Sequence, residues 1–315
     1  MAPEEKGFSR IHLIFRAAFR ILALAVRSEK DLSSDGTIFS GGRQRSFMGK
    51  IIAVANQKGG VGKTTTSINL SASLAAARRR VLLVDMDPQA NATSGLGFFL
   101  SDGEPDLYRV LTRQVQADAA IRATELATLK LLPARPHLAA LEVELVEHVE
   151  FGERALQLRE TLEPLRESFD FILIDCPPSL GLLTLNALTA ADSVLIPVQT
   201  EYYAMEGLGR LMDTVGLVRQ SANPNLEYEG VLLCMTDDRT NLSRQVSEEI
   251  RGHLESRVFE TTIPRNIRLS ESPSHGKPVL LYSVSSKGAQ SYLQLAEELI
   301  RLNEPEPKKP RNNTP

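Results

Sequence analysis

The chain has 315 residues, of which 42% are hydrophobic and 24% are charged, and its formal net charge is −3 at pH 7. These values are typical of a soluble globular protein with one large or two ordinary domains, and they argue against a globally basic nucleic-acid binder. The two cysteines, Cys176 and Cys234, form no CxxC pair, which disfavours a zinc site, an iron–sulfur site and a disulfide framework. We therefore expect a protein of the reducing cytoplasm.

Residues 1–47 differ in composition from the rest of the chain. An apolar stretch within them is interrupted by Arg16 and Arg20, so it is too short for a membrane-spanning helix, which needs about 20 apolar residues. Arg16, Arg20 and Arg27 fall near one face of a helix, which leaves open a segment that binds a membrane surface or a partner. We predict a poorly ordered extension, or a start assigned too early, since MGKIIAVANQ from Met48 would open a compact domain by itself.

After this extension, short apolar runs alternate with longer amphipathic segments. The short runs are mostly apolar on both faces, as buried parallel strands are. They are the predicted strands 51–55, 81–85, 129–133, 171–175, 193–198 and 230–235. The predicted helices are 64–79, 137–167, 204–221, 241–256 and 287–302. The alternation predicts an α/β fold with a mostly parallel twisted sheet and helices on both faces, followed by a disordered tail at 304–315.

The junction after the first predicted strand carries a glycine-rich sequence, NQKGGVGKTTT, at residues 56–66. The general phosphate-binding loop, Gly-x-x-x-x-Gly-Lys-Ser/Thr, would place its first glycine where Gln57 stands, whereas its end, GKT at 62–64, is intact. Glycines let backbone N–H groups surround phosphate oxygens, and the following helix adds its positive end. We predict that Lys63 neutralises the β- and γ-phosphates and that Thr64 gives its hydroxyl to magnesium. The predicted nucleotide-binding residues are Lys58, Gly59, Gly60, Val61, Gly62, Lys63, Thr64 and Thr65.

Acidic residues follow two of the predicted strands. VLLVDMDPQ ends a strand with Asp85 and Asp87, which would share one face if the strand continued, and FILIDCPP ends another with Asp175. Because magnesium prefers carboxylate and water oxygens, we expect Asp175 to hold the ion through water, although a plain strand-end cap is the alternative. We expect Asp87 to orient the attacking water. Asp85 is assigned to the metal site as well, although it could equally support the loop.

Six longer blocks of the sequence are highly specific. They are KGGVGKTTT (58–66), RVLLVDMDPQANATSGLG (80–97), DFILIDCPPSLGLLTLNAL (170–188), IPVQTEYYAMEGL (196–208), DRTNLSRQV (238–246) and IPRNIRLSESPSHGKPVLLY (263–282). Together they resemble the ParA/Soj family of chromosome- and plasmid-partitioning ATPases, whose phosphate-binding loop is a deviant one. The resemblance implies one P-loop ATPase domain over 48–303, with ATP and Mg²⁺ as ligands. It also implies a catalytic set of Lys58, Lys63 and Asp87.

The resemblance also explains the extra lysine of the loop. In that family this lysine, Lys58 here, reaches across a nucleotide-sandwich dimer to the phosphates bound by the other subunit; a solvated loop lysine is the alternative. The resemblance implies a homodimer that forms on ATP, binds double-stranded DNA without sequence preference, and hydrolyses ATP when a ParB-like partner stimulates it. Chromosome or plasmid DNA would thereby be segregated. A cytoplasmic, nucleoid-associated protein is expected, with no membrane contact by the core domain.

The DNA-binding arginines of the family map onto two segments of this chain. Arg239 and Arg244 flank a helix start in RTNLSRQ. Arg265 and Arg268 bracket RNIR. Phosphate contacts from these side chains would give salt-sensitive affinity without base readout. Each arginine could instead be a solvated or ion-paired surface residue, and Arg239 and Arg268 are the stronger candidates.

The sequence also bears on related functions. Division-site ATPases of the MinD type carry a C-terminal amphipathic helix for membranes, whereas this sequence ends in EPEPKKPRNNTP, which has no apolar face. The nitrogenase iron protein and the iron–sulfur carrier ATPases need suitably placed cysteines, which this sequence lacks. Two alternatives stay open: a ParA-like positioning ATPase for a protein cargo, and a nucleotide-switched DNA-binding regulator.

Overall fold

The computed structural model describes residues 49–150, 152–201, 204–237 and 239–303. The strands are β1 (Lys50–Val54), β2 (Val81–Asp85), β3 (Arg122–Ala123), β4 (Leu129–Leu132), β5 (Phe171–Asp175), β6 (Ser193–Gln199), β7 (Glu227–Thr236) and β8 (Ile263–Pro264). They form one sheet in the order β3-β4-β2-β5-β1-β6-β7-β8. Neighbouring strands are parallel except β3 and β4, which pair antiparallel. The predicted α/β fold with a mostly parallel sheet is therefore confirmed.

Helices cover both faces of the sheet. They are α1 (Lys63–Ala76), α2 (Asn91–Gly95), α3 (Leu107–Leu111), α4 (Ala117–Ala120), α5 (Ala140–His148), α6 (Gln157–Leu162), α7 (Leu182–Ala190), α8 (Ala204–Ser221), α9 (Asn241–Leu254), α10 (Ile267–Glu271), α11 (Val279–Tyr282) and α12 (Lys287–Asn303). Alternate residues of β1 point to opposite faces. Ile52 and Val54 therefore join one buried cluster with α1 and α12, whereas Ile51 and Ala53 join another with α7 and α8.

The register of the central strands brings two predicted site residues together. Asp85 ends β2, Asp175 ends β5, and these two residues are directly paired. Val54, the last residue of β1, pairs with Asp175 from the other side. The segments that follow β1, β2 and β5 therefore leave the sheet side by side at its carboxyl edge, where open α/β sheets bind their ligands.

Buried hydrogen bonds hold helix α1 in place over this edge. The hydroxyls of Thr66 in α1 and Tyr292 in α12 lie 3.1 Å apart in the core. One turn further along α1, Asn69 accepts a 2.7 Å hydrogen bond from the backbone N–H of Val279. The C-terminal helices thus fix the position of the helix that begins with the predicted phosphate-binding residues.

The predicted helix 137–167 is wrong in its extent. The structure divides it into a 3-10 turn at Pro136–Ala139, helix α5, non-helical residues at 149–150 and 152–156, helix α6 and a second 3-10 turn at Glu163–Ser168. Each 3-10 turn has a proline, Pro136 or Pro164, at its first or second position, and Gly152 lies between the two helices. Proline lacks a backbone N–H and glycine weakens a helix, so these residues interrupt the helical pattern.

Some elements were missing from the sequence prediction. Helix α7 has the sequence LLTLNALTA, which is apolar nearly all round and therefore shows no helical period. Strands β3 and β8 have only two residues each, too few to form a pattern. The longer predicted strands were located correctly to within a few residues, because their apolar runs are continuous.

The ends of the chain were predicted separately from the domain. The proposed extension at 1–47, the proposed start at Met48 and the proposed tail at 304–315 lie outside the described residues. At the first described residue, the N–H of Gly49 donates a 3.0 Å hydrogen bond to the carbonyl of Arg166. In the part of the chain that the structure describes, no helix combines the length and the apolar character needed to cross a membrane.

We expect Tyr292→Phe to lower the free energy of unfolding by about 1–2 kcal/mol, because the buried hydroxyl of Thr66 then loses a hydrogen-bond partner. Denaturant titration followed by circular dichroism measures this change. Tyr282→Phe is the matched control, since that hydroxyl bonds to Glu271 at 3.2 Å in a partly exposed position. A loss of less than about 0.5 kcal/mol, as surface substitutions give, would contradict the anchoring role of Tyr292.

Candidate functional site

The glycine-rich loop joins β1 to α1 through left-handed backbone. The φ angles of Gly60 and Gly62 are +75° and +98°, values that side-chain-bearing residues rarely adopt. Gly62 precedes α1 and offers no side chain to cap it. The first N–H groups of α1 therefore face the loop, where they can donate to an anion. Gly59 and Gly60 are exposed, and a Cβ atom added to either would meet no atom within 4 Å, so the space beside them is open.

Lys63 is a buried cation at this edge of the sheet. Its residue is only 6% exposed, and its Nζ donates a 3.2 Å hydrogen bond to the carbonyl of Lys58. Burial lowers the pKa of Lys63, and the negative charges of Asp175 and Asp87 offset part of this effect. An ammonium group in such a position is stabilised by any anion that enters the loop.

Asp175 lies next to Lys63 and is fully buried. Its Oδ1 accepts a 2.8 Å hydrogen bond from the hydroxyl of Ser67, whereas its Oδ2 is buried with no hydrogen-bond partner. Burial, with repulsion from Asp85, raises the pKa of Asp175, and the nearby hydroxyls of Thr64 and Ser67 oppose the shift. A buried carboxylate oxygen without a donor, beside the Thr64 hydroxyl, fits a cation or its bound water.

The oxygens of Asp85 are already occupied by donors of its own chain. Its Oδ2 accepts from the backbone N–H of Thr93 at 2.8 Å and from the Thr93 hydroxyl at 2.7 Å, and its Oδ1 accepts from the N–H of Asp87 at 3.2 Å. Burial raises the pKa of Asp85 despite these bonds. The carboxylate therefore holds together the turn that follows β2.

Asp87 stands on that turn rather than on the strand. β2 ends at Asp85, so the condition under which the two aspartates would share one face, a strand that continues, is not met. Asp87 is 6% exposed, and its Oδ1 accepts a 2.9 Å hydrogen bond from the N–H of Gln89. It also lies close enough to Lys63 and Asp175 to influence the pKa of both. The structure thus brings Lys63, Asp87 and Asp175 into one site.

Lys58 occupies a different position from Lys63. Its Nζ lies 3.3 Å from Glu201 Oε2, and its side chain is 36% exposed. Its N–H donates to Asn56 Oδ1 at 3.0 Å, and Asn56 in turn donates to the carbonyl of Pro197 at 2.7 Å. The backbone of Lys58 therefore supports Lys63, while its ammonium group points toward the end of β6 and the surface.

A cavity of about 520 Å³ adjoins the loop and was not predicted from the sequence. Its walls come from the start of α1, the end of β7, β8 and the segment after β8. They are Gly62, Thr65, Cys234, Met235, Ile263, Pro264, Arg265, Asn266, Ile267, Leu269, Ser270, Pro273 and Tyr292. The volume and the mixed apolar and polar lining are typical of small-molecule sites. Eight of these thirteen residues lie in the specific block 263–282, whose sequence alone does not indicate that it forms the wall of a cavity.

The four arginines predicted to contact DNA are on the surface, and each has a partner. Arg239 is 87% exposed and bonds Asp237 at 2.7 Å, and Arg268 is 49% exposed and bonds Glu271 at 2.7 Å. Arg244 bonds Asn241. Arg265, 63% exposed, lies 4.0 Å from Glu201.

Two of these arginines form one basic patch. The hydrogen bond from Arg239, with a further contribution from the charge of Arg265, lowers the pKa of Asp237 to about 2. Arg239 and Arg265 therefore flank the same carboxylate. Glu201 connects this patch to the loop, since it contacts both Lys58 and Arg265.

Carboxylates alone do not form a metal site here. Among the described residues, no group of three or more histidine, cysteine, aspartate or glutamate side chains is arranged to hold a metal ion. Magnesium beside a nucleotide commonly keeps several waters and takes few protein ligands besides phosphate oxygens. The Thr64 hydroxyl and the unpartnered oxygen of Asp175 fit that pattern.

We expect Asp175→Asn to stabilise the nucleotide-free protein at alkaline pH. Because the pKa of Asp175 is raised, the folded protein keeps a proton that the unfolded chain releases above about pH 4. The free energy of unfolding therefore falls as the pH rises from about 4 toward the raised pKa. The slope is at most about 1.4 kcal/mol per pH unit. The substitution should make that decline shallower and raise the Tm at pH 8 by several degrees. Calorimetry across the pH range tests this, with Asp118→Asn on the surface as control. An unchanged pH dependence would contradict the assignment.

Comparison with known proteins identifies the family. A family model described as an AAA domain matches residues 49–228. The chromosome partitioning protein ParA of Myxococcus xanthus is 54% identical over 271 residues, which cover 86% of this chain and 94% of that protein. The sporulation initiation inhibitor protein Soj of Bacillus subtilis is 55% identical over 252 residues, which cover 80% of this chain and 98% of that protein.

A solved structure agrees with the fold. Cobyrinic acid a,c-diamide synthase from Mycobacterium smegmatis, crystallised with bound ADP and magnesium, is 39% identical with a TM-score of 0.70, and the match covers 81% of this chain and 95% of that chain. The residues that the family model matches include the glycine-rich loop and the strand that ends at Asp175. The chain belongs to the ParA/Soj family of partitioning ATPases.

Proposed function

We propose that this protein is a DNA-partitioning ATPase that dimerises on ATP, binds DNA without sequence preference, and hydrolyses ATP under stimulation by a ParB-like partner. One observation carries the nucleotide part of the proposal: the buried ammonium of Lys63 and the unpartnered buried oxygen of Asp175 lie together at a glycine-rich helix start. A phosphate chain with its magnesium ion supplies charges of both signs at that place. The family relationship supports the cellular part, the segregation of chromosome or plasmid DNA.

ATP and Mg²⁺ are the proposed ligands. The N–H groups of residues 59–65 surround the phosphates, Lys63 neutralises the β- and γ-phosphates, and the base and ribose occupy the adjoining cavity. The Thr64 hydroxyl and, through water, Asp175 would hold the ion; when bound, Mg²⁺ would neutralise charge on the phosphate oxygens. Asp85 acts on the ion only indirectly, because its oxygens already accept hydrogen bonds from the turn that carries Asp87.

Hydrolysis requires a positioned water and neutralised charge. Asp87 accepts a hydrogen bond from the attacking water and orients it in line with the γ-phosphate, while the lysines offset the charge that develops on the phosphate oxygens. The rigid turn beneath Asp87 supports this role, because Asp85 bonds both its own turn and Thr93. The site would promote hydrolysis by positioning the water and neutralising charge on the phosphate oxygens, without a covalent intermediate.

Lys58 completes the site of a second subunit. In the described chain its ammonium pairs with Glu201 at 3.3 Å, and both side chains are more than a third exposed. Such an exposed pair contributes about 0–1 kcal/mol, so little free energy opposes its release when an ATP-loaded partner approaches. The proposed dimer is therefore a consequence of bound ATP, whose phosphates offer Lys58 a stronger counter-charge.

DNA binding follows from the dimer. Each candidate arginine has a partner within its own chain, so a DNA phosphate must compete with that partner and single contacts are weak. Two subunits present two copies of Arg239, Arg244, Arg265 and Arg268, and linked weak contacts gain from their high effective concentration. We therefore propose a cytoplasmic protein that associates with the nucleoid in its ATP-bound form.

We expect Asp87→Ala to keep ATP binding and ATP-dependent dimerisation but to lose hydrolysis, by about 10²-fold or more in kcat, because the phosphate cradle stays intact while the water loses its orienting group. Phosphate release and light scattering in ATP measure the two properties. Asp213→Ala, on the exposed side of α8, is the control. Turnover like that of the wild type would remove Asp87 from its proposed role.

Replacement of both Arg239 and Arg268 by glutamate should weaken binding to random-sequence duplex DNA by at least tenfold and flatten its dependence on salt, since fewer counterions are released. ATP binding and basal hydrolysis should stay the same. Affinity measured in ATP and in ADP across a salt series tests this. Arg113→Glu with Arg301→Glu makes the same change of charge at exposed, ion-paired arginines elsewhere and should have little effect. Equal loss in both double variants would mean that only net charge matters.

A further inference from the structure

Thr93 is a buried residue of helix α2 whose hydroxyl group links two neighbouring strands of the sheet. The hydroxyl donates to Asp85 Oδ2 at 2.7 Å and accepts a 3.0 Å hydrogen bond from the backbone N–H of Ala134. Asp85 is the last residue of β2, and Ala134 lies two residues after β4. Thr93 is 3% exposed and Ala134 is 1% exposed. One hydroxyl, shielded from water, therefore ties together the ends of β2 and β4.

The orientation of the Asp85 carboxylate depends on Thr93. The terminal torsion of an aspartate side chain is broad, so hydrogen-bond donors decide where its two oxygens point. Thr93 offers Oδ2 two donors, its hydroxyl and its backbone N–H, at 2.7 Å and 2.8 Å. With Oδ2 held in this way, Oδ1 faces the N–H of Asp87, which donates at 3.2 Å. The longer bond to Asp87 therefore relies on the two shorter bonds from Thr93.

The turn between Asp85 and Thr93 contains a residue in a disfavoured conformation. Ala90 has a φ angle of +53°, in the left-handed region. Its N–H donates to the carbonyl of Asp87 at 2.8 Å, and the N–H of Gln89 donates to Asp87 Oδ1 at 2.9 Å. A residue with a side chain keeps such a conformation only where its surroundings hold it. The bonds of Thr93, three residues beyond Ala90, close the turn and contribute to that restraint.

The proposed phosphate-binding residues are held by different contacts. Residues 59–65 lie in the connection between β1 and α1, where Lys63 donates to the carbonyl of Lys58 and Thr66 joins α1 to α12. Strand β5 separates β1 from β2 in the sheet. Thr93 bonds the turn after β2 and the end of β4, on the other side of β5. A change at Thr93 should therefore disturb the turn that carries Asp87 more than it disturbs the phosphate-binding loop.

We propose that Thr93 is a positioning residue for hydrolysis. Its hydroxyl holds the Asp85 carboxylate and the turn above it, so that Asp87 faces the attacking water. This inference rests on the proposed role of Asp87 in hydrolysis. Thr93 itself touches neither the nucleotide nor the water, and it acts through the backbone of the turn. Loss of its hydroxyl should slow the chemical step and leave ATP binding and ATP-dependent dimerisation nearly unchanged.

Thr93→Val removes the hydroxyl and nearly keeps the shape of the side chain. We expect kcat for ATP hydrolysis to fall by about 10- to 100-fold, since a displacement of about 1 Å in an active site can cost that much. The Kd of a fluorescent ATP analogue should change by less than about threefold. Thr93→Ser, which keeps the hydroxyl, should recover most of the lost kcat. Thr189→Val is the matched control, because Thr189 is a buried threonine of α7 whose hydroxyl bonds to no group among the described residues.

A double-mutant cycle with Asp87→Ala separates positioning from general destabilisation. If Thr93 acts through Asp87, the protein with both Asp87→Ala and Thr93→Val should hydrolyse ATP no more slowly than Asp87→Ala alone. Radiolabelled ATP and long incubations resolve these slow rates, and circular dichroism shows that each variant is folded. If Thr93→Val does not fold, Thr93→Ala and Thr93→Ser give the same comparison, since both lack the methyl group and they differ only in the hydroxyl.

Three outcomes would overturn the inference. Thr93→Val with the kcat of the wild type, beside an inactive Asp87→Ala, would show that the hydroxyl is not needed and would leave the proposed function intact. A parallel loss of ATP affinity and kcat, or a further loss in the double variant, would assign Thr93 a purely structural role. Asp87→Ala with the turnover of the wild type would contradict the proposed role of Asp87, and the inference about Thr93 with it.

Discussion

The structure depends on the burial of opposite charges at one edge of a parallel sheet. The strand register places Asp85 against Asp175, and the glycine-rich loop places Lys63 beside them in surroundings nearly free of solvent. Burial shifts the pKa of each group toward its neutral form, so the nucleotide-free site carries a cost in stability. A magnesium–phosphate ligand would relieve that cost, and binding and folding are therefore coupled at this site.

The same loop connects the site to the surface. The carbonyl of Lys58 supports Lys63, while its ammonium reaches Glu201, which also lies near Arg265. If the phosphates of a partner subunit drew Lys58 away, Glu201 would lose its ion pair with Lys58 and would keep only the nearby charge of Arg265. Glu201 therefore contacts both Lys58, which belongs to the nucleotide loop and the proposed dimer contact, and Arg265, which belongs to the proposed DNA surface. A change of nucleotide that moves Lys58 would alter the charges around Arg265 through this one side chain.

The parts of the molecule that follow local rules were predictable from the sequence. The apolar strands and the GKT helix start are set by neighbouring residues, so their positions were located correctly. The apolar helix α7 and the walls of the cavity around Met235 depend on tertiary packing, and a linear pattern does not show them. The role of Asp85 was ambiguous in the sequence because only the structure shows that Thr93 bonds its carboxylate.

The most direct test of the account is the mass of the particle that forms with ATP. Light scattering or sedimentation should show a monomer of the wild type in ADP and a dimer in ATP. Lys58→Ala should bind a fluorescent ATP analogue with nearly unchanged affinity and yet stay monomeric, because its ammonium acts on the phosphates of the other subunit. A Lys58→Ala protein that dimerises like the wild type, or that loses ATP binding as a monomer, would contradict the account.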